Sequence, residues 1–403
     1  MVPRFESFAG VRYDPEQVEL ADVIAPPYDV ISAEDGAALQ SRSPYNAVRV
    51  ELPDPEPGLD GYQAAAERLR QWLASGVLRG DEQPALYGYQ MTYHDDLDQP
   101  RQTVGVIGAL GLEPPGQGSI LPHEHTTPKA RSDRLELLRA TRTNLSPIWG
   151  LSTARGLSDA VGAPPETGSS GPVMDSSGVS HELWPIVDPA RISAIAEIVA
   201  SAPMLIADGH HRYETAVAYQ AERRAATSDQ PGPYDLVMAL VVELVEDQLS
   251  VQGIHRLVSG LPEDFDLVSA LGAHFFVSAT EPVDATIGDR MSKAEALGLV
   301  TAAGTWLLHP RPETLAAADQ DLDSTRLDVA LAALPEHELV YQHGWDLAAA
   351  AVASGEAQAA VLLRPVTVQQ IAATGRGGAK MPPKTTFFWP KLRTGLVFRQ
   401  LPG

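Results

Sequence analysis

Hydrophobic and polar positions along this chain change period from segment to segment, and the changes mark its elements. Between Tyr62 and Ser75, Ala65, Leu69, Trp72 and Leu73 recur at helical spacing, so a helix is predicted there. Ala85–Tyr93 and Gln102–Leu110 carry the β-rich composition of strands, and the acidic stretch His94–Pro100 between them predicts a turn. Ser193–Ala200 reads as a helix that feeds a short apolar strand, Met204–Ala207. Leu236–Val245 is apolar nearly throughout, which fits a strand buried on both faces, with a helix left open by the same pattern. Leu249–Ile254 then reads as its partner strand, delivering His255 and Arg256.

After about Gly260 the pattern starts afresh. Leu267–Phe276, Met291–Leu297, Thr305–Leu308, Leu327–Leu334, Trp345–Ser354 and Ala359–Leu363 form a second set of helices and strands. Proline and glycine punctuate short elements throughout, and no fixed-period repeat is present. Pro53–Gly61, Gly162–Ser180 and Ser228–Pro233 lack an apolar period and read as surface loops. The alternation predicts a mixed α/β (α+β) fold: a mixed sheet with flanking helices, plus a second C-terminal α/β portion. The expected division is 1–258 and 259–403, with three roles open to the aromatic and basic tail 380–391: completing the site, folding over it as a lid, or closing the sheet.

Composition narrows the function classes. A formal charge of −22 disfavours general binding to nucleic acid or to a membrane surface, because phosphate backbones require a basic footprint. With no cysteine there is no disulfide, thiolate catalysis or cysteine-held metal. No stretch approaches the roughly 20 apolar residues needed to span a bilayer, and the expectation is a cytoplasmic protein.

The densest chemistry lies just after the Met204–Ala207 strand, in Asp208-Gly209-His210-His211-Arg212. A strand, a glycine turn and a helix start bring a carboxylate, two imidazoles and a guanidinium together. Gly209 admits a close backbone approach, the helix start offers N–H groups to an anion, and Arg212 supplies neutralising charge. This combination points to phosphate, with Asp208 as general base or metal ligand and His210 and His211 contacting phosphate. The bland alternative is a polar corner in which the histidines only cap a helix.

A second group runs from His123-Glu124-His125 through Lys129, Arg131, Arg134, Arg139 and Arg142 to Asn144. Five cations fall within 14 residues of an acidic chain. On a helical wheel Arg134, Arg139 and Arg142 occupy an arc of about 140°, shared with Leu135 and Leu138. A phosphate-facing surface is expected, set against an ordinary charged face on which Glu136 is the partner. His123-x-His125 also fits a zinc pair if a third ligand comes from elsewhere, but a magnesium ion shared with phosphate oxygens needs only one or two carboxylates. Near the N-terminus, Tyr28, Asp29, Asn46 and Arg49 sit on proline-bearing turns and are equally suited to lining a site or to structural work.

These segments together resemble the domain-of-unknown-function 1015 family. The resemblance runs through Ala-Pro-Pro-Tyr-Asp-Val-Ile (25–31), the His123–Arg134 stretch with Asn144-Leu-Ser-Pro-Ile, Asp208–Ala216, and Met-Pro-Pro-Lys-Thr-Thr-Phe-Phe-Trp-Pro-Lys (381–391). The Asp-Gly-His-His-Arg box is also similar to that of the ParB/sulfiredoxin superfamily, in which loop and helix start grip nucleotide phosphates and one branch phosphorylates free serine. That similarity extends only to Asp208, Gly209, His210, His211 and Arg212. What it implies is a kinase using ATP or ADP with Mg2+ on a small hydroxyl-bearing substrate, most plausibly L-serine. Asp208 and Glu124 would then take the proton or hold metal. A nucleotide-binding regulator and a metal-dependent phosphoesterase are the alternatives.

Overall fold

A computed structural model describes residues 2–95, 99–114, 118–122, 128–377, 381–382 and 384–402, without the side chains of 122, 128–131, 372 and 374–377. The chain forms two compact units, Met1–Leu249 with Pro390–Gly403, and Ser250–Trp389.

The first unit is built on a nine-stranded mixed sheet. Its strands, in chain order, are β1 (Phe5–Glu6), β2 (Leu86–His94), β3 (Pro100–Gly111), β4 (Ile120–Pro122), β5 (Ile148–Ser152), β6 (Val173–Met174), β7 (Ser180–Ile186), β8 (Met204–Asp208) and β9 (Leu236–Glu243). Across the sheet the order is β4-β8-β5-β9-β3-β2-β7-β6, with β1 added beside β3. β9 is buried at all eight positions and pairs antiparallel with β3 and parallel with β5, placing Leu240 opposite both Ile107 and Trp149. Its continuous apolar run follows from burial on both faces, and the open helix reading ends there.

Five helices matter for the site: α1 (Val48–Glu51), α2 (Gly61–Ala74), α3 (Pro128–Thr141), α4 (Pro189–Ala200) and α5 (His210–Ala226). α2 begins with a capping box in which Asp60 accepts from Gln63 N and the Gln63 side chain accepts from the Asp60 amide. It buries Ala65, Leu69 and Trp72, as its spacing predicts. α4 starts at Pro189 behind an Asp188 cap and buries Ile195 and Val199 against the sheet core.

The second unit holds a six-stranded, wholly antiparallel sheet, with strands ordered 275–280, 304–310, 297–301, 359–362, 254–259 and 338–343. Successive residues enter opposite cores: Leu299 and Val361 pack with Leu327 and Leu331, whereas Val300 and Ala360 pack with Ala348 and Val352.

Three expectations need correction. The single strand predicted over Leu249–Ile254 is two, Ser250–Gln252 paired with Phe387–Trp389, and Ile254–Ser259 in the larger sheet. They part at Gly253, where a Cβ would collide with the carbonyl oxygen of Leu363. Neither pairs with β9. Leu267–Phe276 and Met291–Leu297 each span a helix end and a strand start. The compact units part at Leu249, so residue 258 lies inside a strand of the second unit, and the chain's last 14 residues belong to the first. No described helix is long and apolar enough to cross a membrane.

Candidate functional site

The turn after β8 is shaped by three local departures from regularity. β8 lies between β4, to which it is parallel, and β5, to which it is antiparallel. Ile206 faces Gly150 and Asp208 faces Trp149, so the ladder slips by one residue at Ala207. Such a bulge re-aims the side chain that follows it. Gly209 comes next with φ +85°, in the left-handed region, and provides no side-chain cap to α5.

One turn into α5, Arg212 folds back over this glycine. A Cβ on Gly209 would lie 3.0 Å from Arg212 Nε and 3.1 Å from its Cζ. The guanidinium donates to Asp208 Oδ2 at 2.7 Å and to the carbonyl of Pro147. Lys391 Nζ donates to the other carboxylate oxygen, Oδ1, at 2.7 Å. All three side chains are about nine-tenths buried, with 9–11% of their surface exposed. Burial works to raise the carboxyl pKa of Asp208, but Lys391 and Arg212 together hold it well below the usual range. A carboxylate so held stays ionised and is a poor proton acceptor.

A second charged group adjoins through Arg212. Glu51 ends α1 and is 2% exposed. Arg134, buried on α3, donates to the Glu51 carbonyl at 2.8 Å, approaches its Oε1 at 3.7 Å, and is also held by Asp133. Its guanidinium lies 4.4 Å over the ring of Tyr28. Burial pushes the Tyr28 hydroxyl up to about 12 despite the nearby charge of Arg212. Ser146 Oγ donates to Glu51 Oε1 at 3.2 Å. Burial raises the Glu51 carboxyl against the opposing pull of Arg134 and Arg212. Glu51, Arg134, Ser146, Arg212 and Thr215 line one cavity of about 50 Å³. Among the described residues, Glu51 Oε2 and Arg212 Nε are both buried and have no hydrogen-bond partner.

The structure therefore brings Asp208, Gly209, His210 and Arg212 together with Arg134. His210 is buried in the first turn of α5, and His211 beside it is half-buried. Asn144 lines the cavity, but its Oδ1 is taken up by Met238 N at 3.0 Å and Arg399 Nη1 at 3.1 Å. Arg139 is not among the cavity residues; it is exposed and bridges Glu136 and Glu222. Arg142 is exposed and leaves α3 with φ +47°, its carbonyl accepting from Leu401 N at 2.7 Å. His123, Glu124 and His125 lie outside the described residues, as do the side chains of Lys129 and Arg131, whose backbone belongs to α3. Among the described residues no group of three or more His, Asp or Glu is placed to hold a metal ion. Asn46 bonds the Asp22 and Ile24 carbonyls, and Arg49 those of Ser43 and Gln40, so both tie the N-terminal turns together.

Glu51 is the residue that motif reading passes over, and Lys391 lies in the 380–391 tail without being singled out there. The signal for Lys391 is the basic, aromatic tail of an acidic chain. For Glu51 it is a carboxylate directly after the apolar positions Val48 and Val50.

Among solved structures, a free serine kinase variant in complex with AMP is similar over 69% of this chain and 89% of its own, at 14% identity and a TM-score of 0.38. SbnI from Staphylococcus aureus, with a C-terminal truncation, is similar over 73% and 87%, at 12% identity and 0.37. A conserved hypothetical protein from Pyrococcus furiosus covers 69% and 92%, at 15% identity and 0.34. Scores this low mark a loose likeness only. No curated protein matches the chain. The protein family of unknown function DUF1015 matches residues 5–330, about four-fifths of the sequence, and the chain belongs to that family.

Proposed function

We propose that the protein is a small-molecule kinase that transfers the terminal phosphoryl group of ATP or ADP to a hydroxyl acceptor, with free L-serine as the acceptor. One observation carries the reading: Arg212 and Lys391 converge on Asp208 at the N-terminus of a 17-residue helix whose cap is a left-handed glycine. Phosphoryl transfer demands positioning and charge neutralisation more than covalent chemistry. Here the backbone at Gly209 and the helix start approach a phosphate, while Arg212 and Lys391 offset its charge. The same box resembles one that grips nucleotide phosphates in the ParB/sulfiredoxin superfamily, and free serine kinases with AMP or ADP are among the loosely similar structures.

In the reaction the acceptor oxygen bonds to the terminal phosphorus and the bridging P–O bond to the nucleotide breaks. The hydroxyl proton passes to a base, and the nucleotide leaves one phosphate shorter. Asp208, kept ionised by its two cations, suits an electrostatic role better than that of base, and we assign the proton to Glu124. Both oxygens of Asp208 are engaged by Arg212 and Lys391, so a magnesium ion would come with the nucleotide, held through its phosphate oxygens, and would supply further neutralising charge.

Purified protein given ATP or ADP, Mg2+ and L-serine is expected to form O-phosphoserine, and Asp208→Asn to lower kcat/KM at least about 100-fold, the scale of losing a preorganised electrostatic group. Absence of turnover over a panel of nucleotides and hydroxyl acceptors would overturn the kinase reading. Nucleotide binding with slow, acceptor-independent hydrolysis would identify a regulator instead.

A further inference from the structure

A second buried charge cluster lies apart from the Asp208 turn, and the same returning segment supplies its cation. Asp175 directly follows β6, and its Oδ1 accepts from Ser177 N at 2.7 Å and from Val179 N at 3.0 Å. Its Oδ2 accepts from His181 Nε2 at 2.9 Å and from Arg393 Nε at 2.8 Å, and Arg393 Nη2 donates to the same oxygen. His181 Nδ1 lies 2.8 Å from the Tyr89 hydroxyl. All four side chains are buried. Burial lowers the pKa of His181 against the opposing pull of Asp175, which keeps the imidazole neutral. Among the described residues, Arg393 is thus the cation matched to Asp175.

Lys391 and Arg393 stand two residues apart, yet they bond carboxylates from β8 and from the end of β6, six places apart in the strand order. The stretch 391–393 straps one side of the sheet to the other. Leu392 between them is buried, but apolar packing is non-directional and fixes depth better than register. Just beyond, Thr394 exchanges backbone hydrogen bonds with Ala25 at 2.8 and 3.0 Å. A buried ion pair is a weak source of stability and a directional tie. We propose that Arg393 is a positioning residue for the phosphate site: its pairing with Asp175 fixes the register of the returning segment and so holds the Lys391 ammonium on Asp208. The inference rests on the kinase reading for the task of Lys391 and deepens it by naming what places that charge.

The test is competitive acetylation of the full chain with acetic anhydride, with Lys391 read against the exposed Lys293 by mass spectrometry. Circular dichroism confirms that each variant is folded. Arg393→Met is expected to raise the relative acetylation of Lys391 at least about tenfold, the scale of one charge-assisted hydrogen bond. Arg393→Lys keeps the charge and is expected to recover part of the protection. Phe398→Leu weakens the packing of the same segment without touching Asp175; it is the control and leaves Lys391 protected as in the wild type. Calorimetry supplies the second reading. Arg393→Met is expected to weaken ADP with Mg2+ about tenfold, on the same scale, to leave adenosine unchanged, and to add nothing in a Lys391→Met background. Wild-type protection in Arg393→Met, or an equal loss in Phe398→Leu, overturns the proposal, as does an ADP affinity that Arg393→Met leaves untouched. Loss of protection in Arg393→Met alone, with no ADP bound by the wild type, would sustain the positioning of Lys391 and refute the phosphate site.

Discussion

Replacing Gly209 by alanine tests the geometry on which the site is built. The backbone there is left-handed at φ +85°, and a β-carbon in that region costs about 1–2 kcal/mol. The new Cβ would also lie 3.0–3.1 Å from three atoms of the Arg212 guanidinium. That group is tethered by Asp208 and the Pro147 carbonyl, so yielding means loosening a buried ion pair. Full rupture of such a pair costs about 3–5 kcal/mol. Even a partial share takes the loss for Gly209→Ala above about 2 kcal/mol. In an Arg212→Met background the guanidinium is gone and only the backbone cost of about 1–2 kcal/mol remains. Urea denaturation of the four proteins, compared where their m-values agree, yields the coupling. Equal losses in both backgrounds, or a loss below about 0.5 kcal/mol, would refute the claim that Arg212 lies packed across Gly209.

Removing Lys391 should expose the electrostatics of the pair. The Asp208 carboxyl is held below its unfolded value, so its contribution is complete above the unfolded pKa of about 3.9 and is lost as pH falls through the folded one. Lys391→Met withdraws one of the two cations, and the acid-unfolding midpoint followed by circular dichroism moves to higher pH. Glu51 has the opposite sign: its folded pKa is raised, so its contribution is full below the unfolded value and lost as pH rises through the folded one. The melting temperature of Glu51→Gln minus that of wild type is therefore larger at pH 8 than at pH 4; a constant difference would contradict the assigned burial cost. Arg139→Ala, on an exposed ion pair, should change stability by no more than about 1 kcal/mol and leave the proposed phosphoryl transfer intact. A tenfold fall in kcat/KM would return Arg139 to the site.

The legible part of the site is its local part. Asp208, Gly209 and Arg212 lie within five residues, so strand, turn and first helical turn predict their meeting. β9 declares itself by eight consecutive buried positions. Lys391, 183 residues from Asp208, is set by tertiary return of the chain, to which no periodicity refers. The basic helix is instructive in the other direction. A wheel groups Arg134, Arg139 and Arg142 on one arc, but α3 stops at Thr141 and Arg142 has left it with a positive φ. On the same arc Leu138 packs with Tyr219, Tyr234 and Leu401. Arg134 turns to Glu51 on one flank, and Arg139 turns to Glu222 on the other. The wheel records angles, whereas the neighbouring carboxylates decide where each guanidinium goes.

The return of Pro390–Gly403 to the first unit has a consequence for the order of assembly. Asp208 and Arg212 leave the ribosome together, but Lys391 follows 183 residues later, about 10–40 s at ordinary elongation rates. During that interval the whole of Ser250–Trp389 is made, while the Asp208 turn holds one of its two cations. The Asp208 carboxylate thus meets its second cation only after the whole of the second unit has been made, and until then the turn is half-neutralised.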